Sequence, residues 1–157
     1  MREYHYRVDG DGRVFHDGSE IVDAATLRFF LLGMRREPDG RWLVPCQGEQ
    51  NWFAAADTPF VVQRLRLDVD AGRLRGVGLD LAGGLQEELA PATLESEDGR
   101  LYCRVRRGTH RARFGRLAMQ QLAPHLEESA GRVTLMMGGA RHAIADARAA
   151  TRELHVR

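Results

Sequence analysis

The chain has 157 residues, 43% of them hydrophobic and 29% charged, with a formal net charge of +1. That length suits one domain, the composition excludes a disordered chain, and a charge so near zero gives no whole-molecule case for nucleic acid or a membrane surface. All 23 basic residues are arginine, Cys46 and Cys103 form no Cys-x-x-Cys pair, and the charged N-terminus lacks the apolar stretch of a signal peptide, so a soluble protein of the reducing cytoplasm with no disulfide framework is expected.

Tyr4, Tyr6 and Val8 alternate with polar residues, the period of a strand. The run Asp9-Gly10-Asp11-Gly12 signals a hairpin, because glycine supplies the positive φ of a tight turn. Arg13 to His16 is the return strand, and Asp17-Gly18 turns the chain again. Asp23 is a fitting N-cap. Leu27, Phe30, Leu31 and Met34 follow at helical spacing and make one apolar face. Arg35 and Arg36 are expected in the last turn of this helix, complementing its dipole, with "EPDG" (Glu37 to Gly40) ending it.

Strands are expected at Arg41 to Pro45 and Asn51 to Ala55 around "CQGEQ". A longer strand opens at Pro59 and turns at Asp70-Ala71-Gly72 into Leu74, Val77, Leu79 and Leu81. The stretch "AGGLQEELAPATLE" is loop or short strand, and Leu101 to Val105 is another strand. "RARFGRLAMQQLA" predicts a second helix with Phe114, Leu117, Ala118 and Leu122 inward, ending near Pro124. Val133 to Met137 and His142 to Ala145 predict a last hairpin. The tail Asp146 to Arg157 reads as a short helix or a frayed end.

The halves resemble each other. Asp11-Gly12-Arg13-Val14-Phe15 matches Asp98-Gly99-Arg100-Leu101-Tyr102 at an offset of 87 residues. Leu27, Phe30 and Leu31 lie over Phe114, Leu117 and Ala118, and beyond the helices the offset becomes 91. The expected fold is α+β: mostly antiparallel strands with two helices, one compact domain over 1–157, built from two structurally related halves at about 1–69 and 70–157.

The stretch "REYHYRVDGDGRVFHDGSEI", the pattern Cys46-x-x-Glu49-x-Asn51-Trp52 and Asp57-x-Pro59-x-Val61 resemble domain-of-unknown-function family 4505, also called uncharacterised protein family 0598. That family has bacterial members and a mitochondrial animal member; His5 stands where an aromatic is common in it. A second set resembles domain-of-unknown-function family 1285. It comprises His16-x-Gly18-Ser19-x-Ile21, Trp42-Leu43-Val44, Asp57-x-Pro59-Phe60, "VRRG" (Val105 to Gly108) and Ala112-Arg113-Phe114. The second resemblance implies an α+β fold with two repeats and a suggested signalling role. Neither supplies catalytic residues.

Three stretches carry candidate chemistry. "HDGSE" holds His16, Asp17, Ser19 and Glu20, types used by hydrolases, but a triad needs groups converging from separate segments. His16 and Asp17, adjacent on an extended chain, point to opposite faces, so turn chemistry leading into the helix is the plainer reading. His16 and Ser19 stay candidates for lining a pocket. "CQGEQNW" offers Cys46, Glu49 and Asn51, which with Asp57 and His16 are the residues an enzyme would use. A buried cysteine beside a glycine turn is the plainer reading.

"RLYCRVRRGTHRARFGR", Arg100 to Arg116, holds seven arginines, one histidine and no acid. Arg106, Arg107, Arg111 and Arg113 could form an anion site near the start of helix two. The six histidines (5, 16, 110, 125, 142, 155) lack metal-ligand spacing, and the glycines make no phosphate-binding or dinucleotide fingerprint. If the first hairpin turns on Gly10-Asp11, His5 and His16 become cross-strand neighbours, but two ligands hold a metal poorly. No metal or cofactor is expected.

The leading expectation is a non-enzymatic binding or regulatory module for an anionic small molecule or an acidic protein partner, with the site at the seam of the halves. A hydrolase-like enzyme is the alternative. Nucleic acid and membrane are disfavoured, and pairing of copies through a strand edge is open.

Overall fold

The computed structural model describes residues 1–148. The predicted tail begins at Asp146; residues 149–157, His155 included, lie outside the described residues. In chain order the first elements are β1 (Arg2–Val8), β2 (Val14–His16), β3 (Ser19–Ile21), α1 (Ala24–Gly33), β4 (Arg35–Arg36), β5 (Trp42–Cys46) and β6 (Glu49–Ala55). They make one six-stranded sheet in the order β3-β2-β1-β6-β5-β4. Only β1 and β6 run parallel in it.

Local chemistry sets these elements. Asp23 accepts from the backbone N–H of Thr26 at 2.9 Å and from its hydroxyl at 2.6 Å, which starts α1. Phe30, Leu31 and Met34 are buried and Leu27 is half-buried, the apolar face that the spacing predicts. The helix ends at Gly33, so Arg35 and Arg36 do not sit in its last turn but pair with β5 as β4. Glycine at this last helical position lets the helix pack closely on β5, since a Cβ on Gly33 would lie 3.1 Å from the Val44 side chain.

The first hairpin corrects a register. Asp9 accepts from the N–H of Asp11 and of Arg13 at 2.9 Å and from Arg13 Nε at 3.0 Å. This side chain stretches the turn over residues 9–13, with Val8 opposite Val14. His16 therefore lies against Tyr6, ring centroids 5.0 Å apart, and not opposite His5.

The chain continues through β7 (Val61–Val62), β8 (Arg64–Asp70), β9 (Arg73–Asp80), a 3-10 turn at Ala82–Gly84, β10 (Gln86–Glu88) and a second such turn at Pro91–Thr93. The Asp70–Gly72 hairpin forms as the sequence predicts, and β10-β9-β8 is an antiparallel sheet. Then come β11 (Glu95–Glu97), β12 (Arg100–Val105), β13 (His110–Phe114), α2 (Arg116–Leu122), β14 (Leu126–Ser129), β15 (Arg132–Met137), β16 (Ala140–Ala143) and β17 (Ala145–Asp146). They form a sheet β17-β11-β12-β13-β7 and a sheet β14-β15-β16. The main class is α+β with mostly antiparallel strands and two helices.

Helix two is shorter than its pattern suggests. Residues 110–114 are strand β13, and α2 spans seven residues from Arg116. Tertiary pairing overrides helix propensity here: Arg113 and Phe114 lie parallel to Val61 and Val62 of β7. Phe114 is buried from a strand, Ala118 and Leu122 from the helix, and Leu117 is exposed. Gln121 binds both the N–H and the C=O of Leu65, at 2.8 and 3.1 Å, fixing α2 to β8.

One core spans the chain, from Val8, Phe30 and Phe53 through Phe60, Leu65 and Leu79 to Leu101, Phe114 and Leu135. Among the described residues no helix is long and apolar enough to cross a membrane, and no three His, Cys, Asp or Glu side chains are placed to hold a metal ion.

Candidate functional site

Strand alternation aims side chains of the arginine-rich stretch. Arg104 of β12 lies opposite Arg111 of β13, and Tyr102 opposite Arg113, so these four share one face of the hairpin. Cys103 and Ala112 share the other, buried face. Thr58 donates to the Arg111 carbonyl at 2.8 Å, and the Tyr102 hydroxyl donates to Asp57 at 2.6 Å. These bonds hold the 56–59 connection, which leaves the first sheet, against the β12–β13 hairpin.

Between them opens a cleft of about 560 Å³ lined by Arg35, Arg36, Trp42, Asp57, Arg104 and His110, with Thr58, Thr109 and Arg111. Two lining rings, Trp42 and His110, pack on the buried Phe60. His110 stacks on Phe60 at 4.6 Å, and Trp42 meets Phe60 at 6.0 Å and His110 at 5.7 Å. The Arg36 guanidinium lies 5.2 Å from the Trp42 ring centre, a cation–π distance.

Four arginines and a histidine face one carboxylate in this cleft. Arg35 pairs with Glu37 at 2.9 Å. Arg111 bonds Glu95 at 2.7 Å and Glu97 at 2.9 Å and lies 3.5 Å from the Tyr102 ring centre. Arg36 and Arg104 have no carboxylate partner among the described residues. Burial, then the cations Arg106 and Arg104, push the His110 pKa below its ordinary 6.5. The cleft is thus electropositive around two packed rings, an arrangement that suits a bound anion.

The predicted arginine quartet does not form one patch. Arg111 lines this cleft, while Arg113 lines a separate cavity beside the turns at 9–11 and 99–100. Arg106 and Arg107 are turn residues with φ of 54° and 58°, and Arg107 is exposed. The Glu87 carboxylate receives the Arg106 N–H at 2.9 and 3.1 Å, whereas Arg106 Nη1 is buried with no hydrogen-bond partner among the described residues. The quartet also does not stand at the start of a helix from 111, because α2 begins at Arg116.

His16 and Ser19 face each other across the Asp17-Gly18 turn of the β2–β3 hairpin, and neither lines the two cavities. That turn leads into β3 before the helix. Asp17 has a φ of 48°, so the chain is not extended there, and its carboxylate reaches His16 Nε2 at 3.3 Å instead of pointing away. His16 Nδ1 bonds the His5 carbonyl at 3.1 Å.

Cys46 is half-buried at the end of β5, opposite Glu49. Asn51 is buried and donates to the Val44 carbonyl at 3.0 Å. No side-chain hydrogen bond joins any two of His16, Ser19, Cys46, Glu49, Asn51 and Asp57 among the described residues. Sequence reasoning missed Arg35, Arg36, Trp42, Arg104 and His110 as a group. No glycine cap marks the helix end before Arg35-Arg36: Gly33 is the last helical residue and lacks the positive φ of a capping glycine.

No family model matches the chain, and no curated protein matches it. The fold is that of two solved structures, both described as proteins of domain-of-unknown-function family 1285. The one from Silicibacter pomeroyi has a TM-score of 0.67 at 19% identity and covers 96% of this chain and 86% of its own. The one from Shewanella baltica has a TM-score of 0.55 at 12% identity and covers 76% of this chain and 90% of its own. This agrees with the second family resemblance read from the sequence. These two structures do not support the resemblance to family 4505.

Proposed function

We propose that the protein is a non-enzymatic binding or regulatory module whose seam cleft takes an anionic small molecule. The observation that carries this reading is the pair Arg36 and Arg104, brought into one cleft without carboxylate partners among the described residues. A concave site of about 560 Å³ favours a small molecule over a protein surface as occupant, since ligand pockets run roughly 300–1,000 Å³. Thiols free in the described structure, Cys46 and Cys103, accord with the reducing cytoplasm.

The same reading takes residues 1–69 and 70–157 as copies of one unit. Its support is strand order: β6-β1-β2-β3 in the first sheet has a counterpart in β17-β11-β12-β13. In each set the second strand is parallel to the first and antiparallel to the third.

Calorimetric titration with pyrophosphate and with a nucleoside triphosphate tests the cleft. Arg36→Gln and Arg104→Gln each remove a charge-assisted donor and should weaken binding by about tenfold. Titrations unchanged in the double variant would sink the proposal.

A further inference from the structure

The cavity that receives Arg113 lies apart from the seam cleft and shares no lining residue with it. We infer that it is a second anion site, one that takes a phosphorylated small molecule. Part of its wall comes from the turns around residues 9–11 and 99–100. Asp9 to Asp11 come from the first, Gly99 and Arg100 from the second, and Arg113 and Arg116 close the space, of about 570 Å³.

Three arginines line one cavity, Arg100 from β12 and Arg113 and Arg116 from the β13–α2 junction, and Arg100 also hydrogen-bonds Tyr102. Arg100, Arg113 and Arg116 have no ion pair among the described residues. The acids nearby are already engaged. Asp9 is bonded to Arg13 at 3.0 Å, Asp11 stands 4.0 Å from the same guanidinium, and Asp98 is paired with Arg148. The cavity thus keeps a net positive charge that its own carboxylates do not cancel. Arg113 is half-buried, and Arg100 and Arg116 are exposed at the rim.

The turn lies against this arginine: the Cβ position of Gly10 is 3.4 Å from Arg113 Nη2, van der Waals contact distance. Gln63 ties the turn in place by donating to the Asp11 carbonyl at 3.1 Å. Guanidinium forks match phosphate oxygens in pairs of donors, and three of them around one space fit a phosphate ester or pyrophosphate better than a single carboxylate. The half-buried Met119 gives the remainder of such a ligand an apolar contact.

Amide chemical shifts on titration with pyrophosphate test the site directly. The Gly10 and Gly99 amides should move saturably. The double variant Arg100→Gln/Arg116→Gln, at exposed positions that leave the fold intact, should weaken that titration by about tenfold or more. Arg36→Gln should leave it unchanged while weakening shifts at Arg104 to His110, so the two sites fail or succeed separately. Gly10 and Gly99 amides that stay still, or that titrate alike in the double variant, would overturn the assignment.

Discussion

His110 couples the cleft to pH. Its folded pKa is lowered by burial and by Arg106 and Arg104, so the unfolded chain takes up the proton first as pH falls. The contribution to stability is full above the ordinary value of 6.5 and is lost as pH drops through it toward the folded value. Urea unfolding from about pH 8 to about pH 5 should show a steeper loss for the wild type than for His110→Gln; equal slopes would refute the coupling. A different buried group, Cys103, has its thiol pushed up to about 12 by burial, with Glu87 adding to the effect. A disulfide reagent should modify Cys46 in the native protein and reach Cys103 only in urea. Asn51 is buried with its amide on the Val44 carbonyl; Asn51→Ala should cost about 1–3 kcal/mol in denaturant titration.

Close backbone approach at Gly83 seats α1 on the 82–84 turn. Gly83 has a φ of 72°, and a Cβ there would stand 2.3 Å from the Arg28 nitrogen and 2.7 Å from the Ala24 carbonyl oxygen. Arg28 in turn donates to the Gly83 carbonyl at 2.9 Å. Gly83→Ala should therefore destabilise the fold by more than about 2 kcal/mol, through both backbone strain and the clash with the helix. Thermal unfolding followed by circular dichroism measures it. Other elements were readable from neighbours alone. The Asp23 cap, the α1 face and the Asp70–Gly72 hairpin need only residues within a few positions, and they stand where the spacing puts them. The start of α2 does not, because β7, some fifty residues away in sequence, captures residues 113 and 114 into a strand.

One core takes residues from both ends of the described chain, and strand pairs β7–β13 and β8–β9 join its earlier and later parts, with the Tyr102–Asp57 and Thr58–Arg111 hydrogen bonds beside them. Both tryptophans, Trp42 and Trp52, lie in the first half, so fluorescence reports on that half and far-ultraviolet circular dichroism on both. Urea transitions by the two probes should coincide; a separate second transition by circular dichroism would divide the molecule into independent folding units. The sequence alone determined the α+β class, the turns, the first helix and the presence of an excess of arginine near residues 100–116, because alternation, capping and glycine geometry act between near neighbours. Only the tertiary structure decided which of those arginines have carboxylates beside them. It turned Arg111 toward Glu95 and Glu97, brought Arg104 and Arg36 to one cleft, and sent Arg113 to the cavity beside the turns at 9–11 and 99–100. A charge is neutralised or left available by what packs next to it, and those partners come from strands that the chain brings together only on folding.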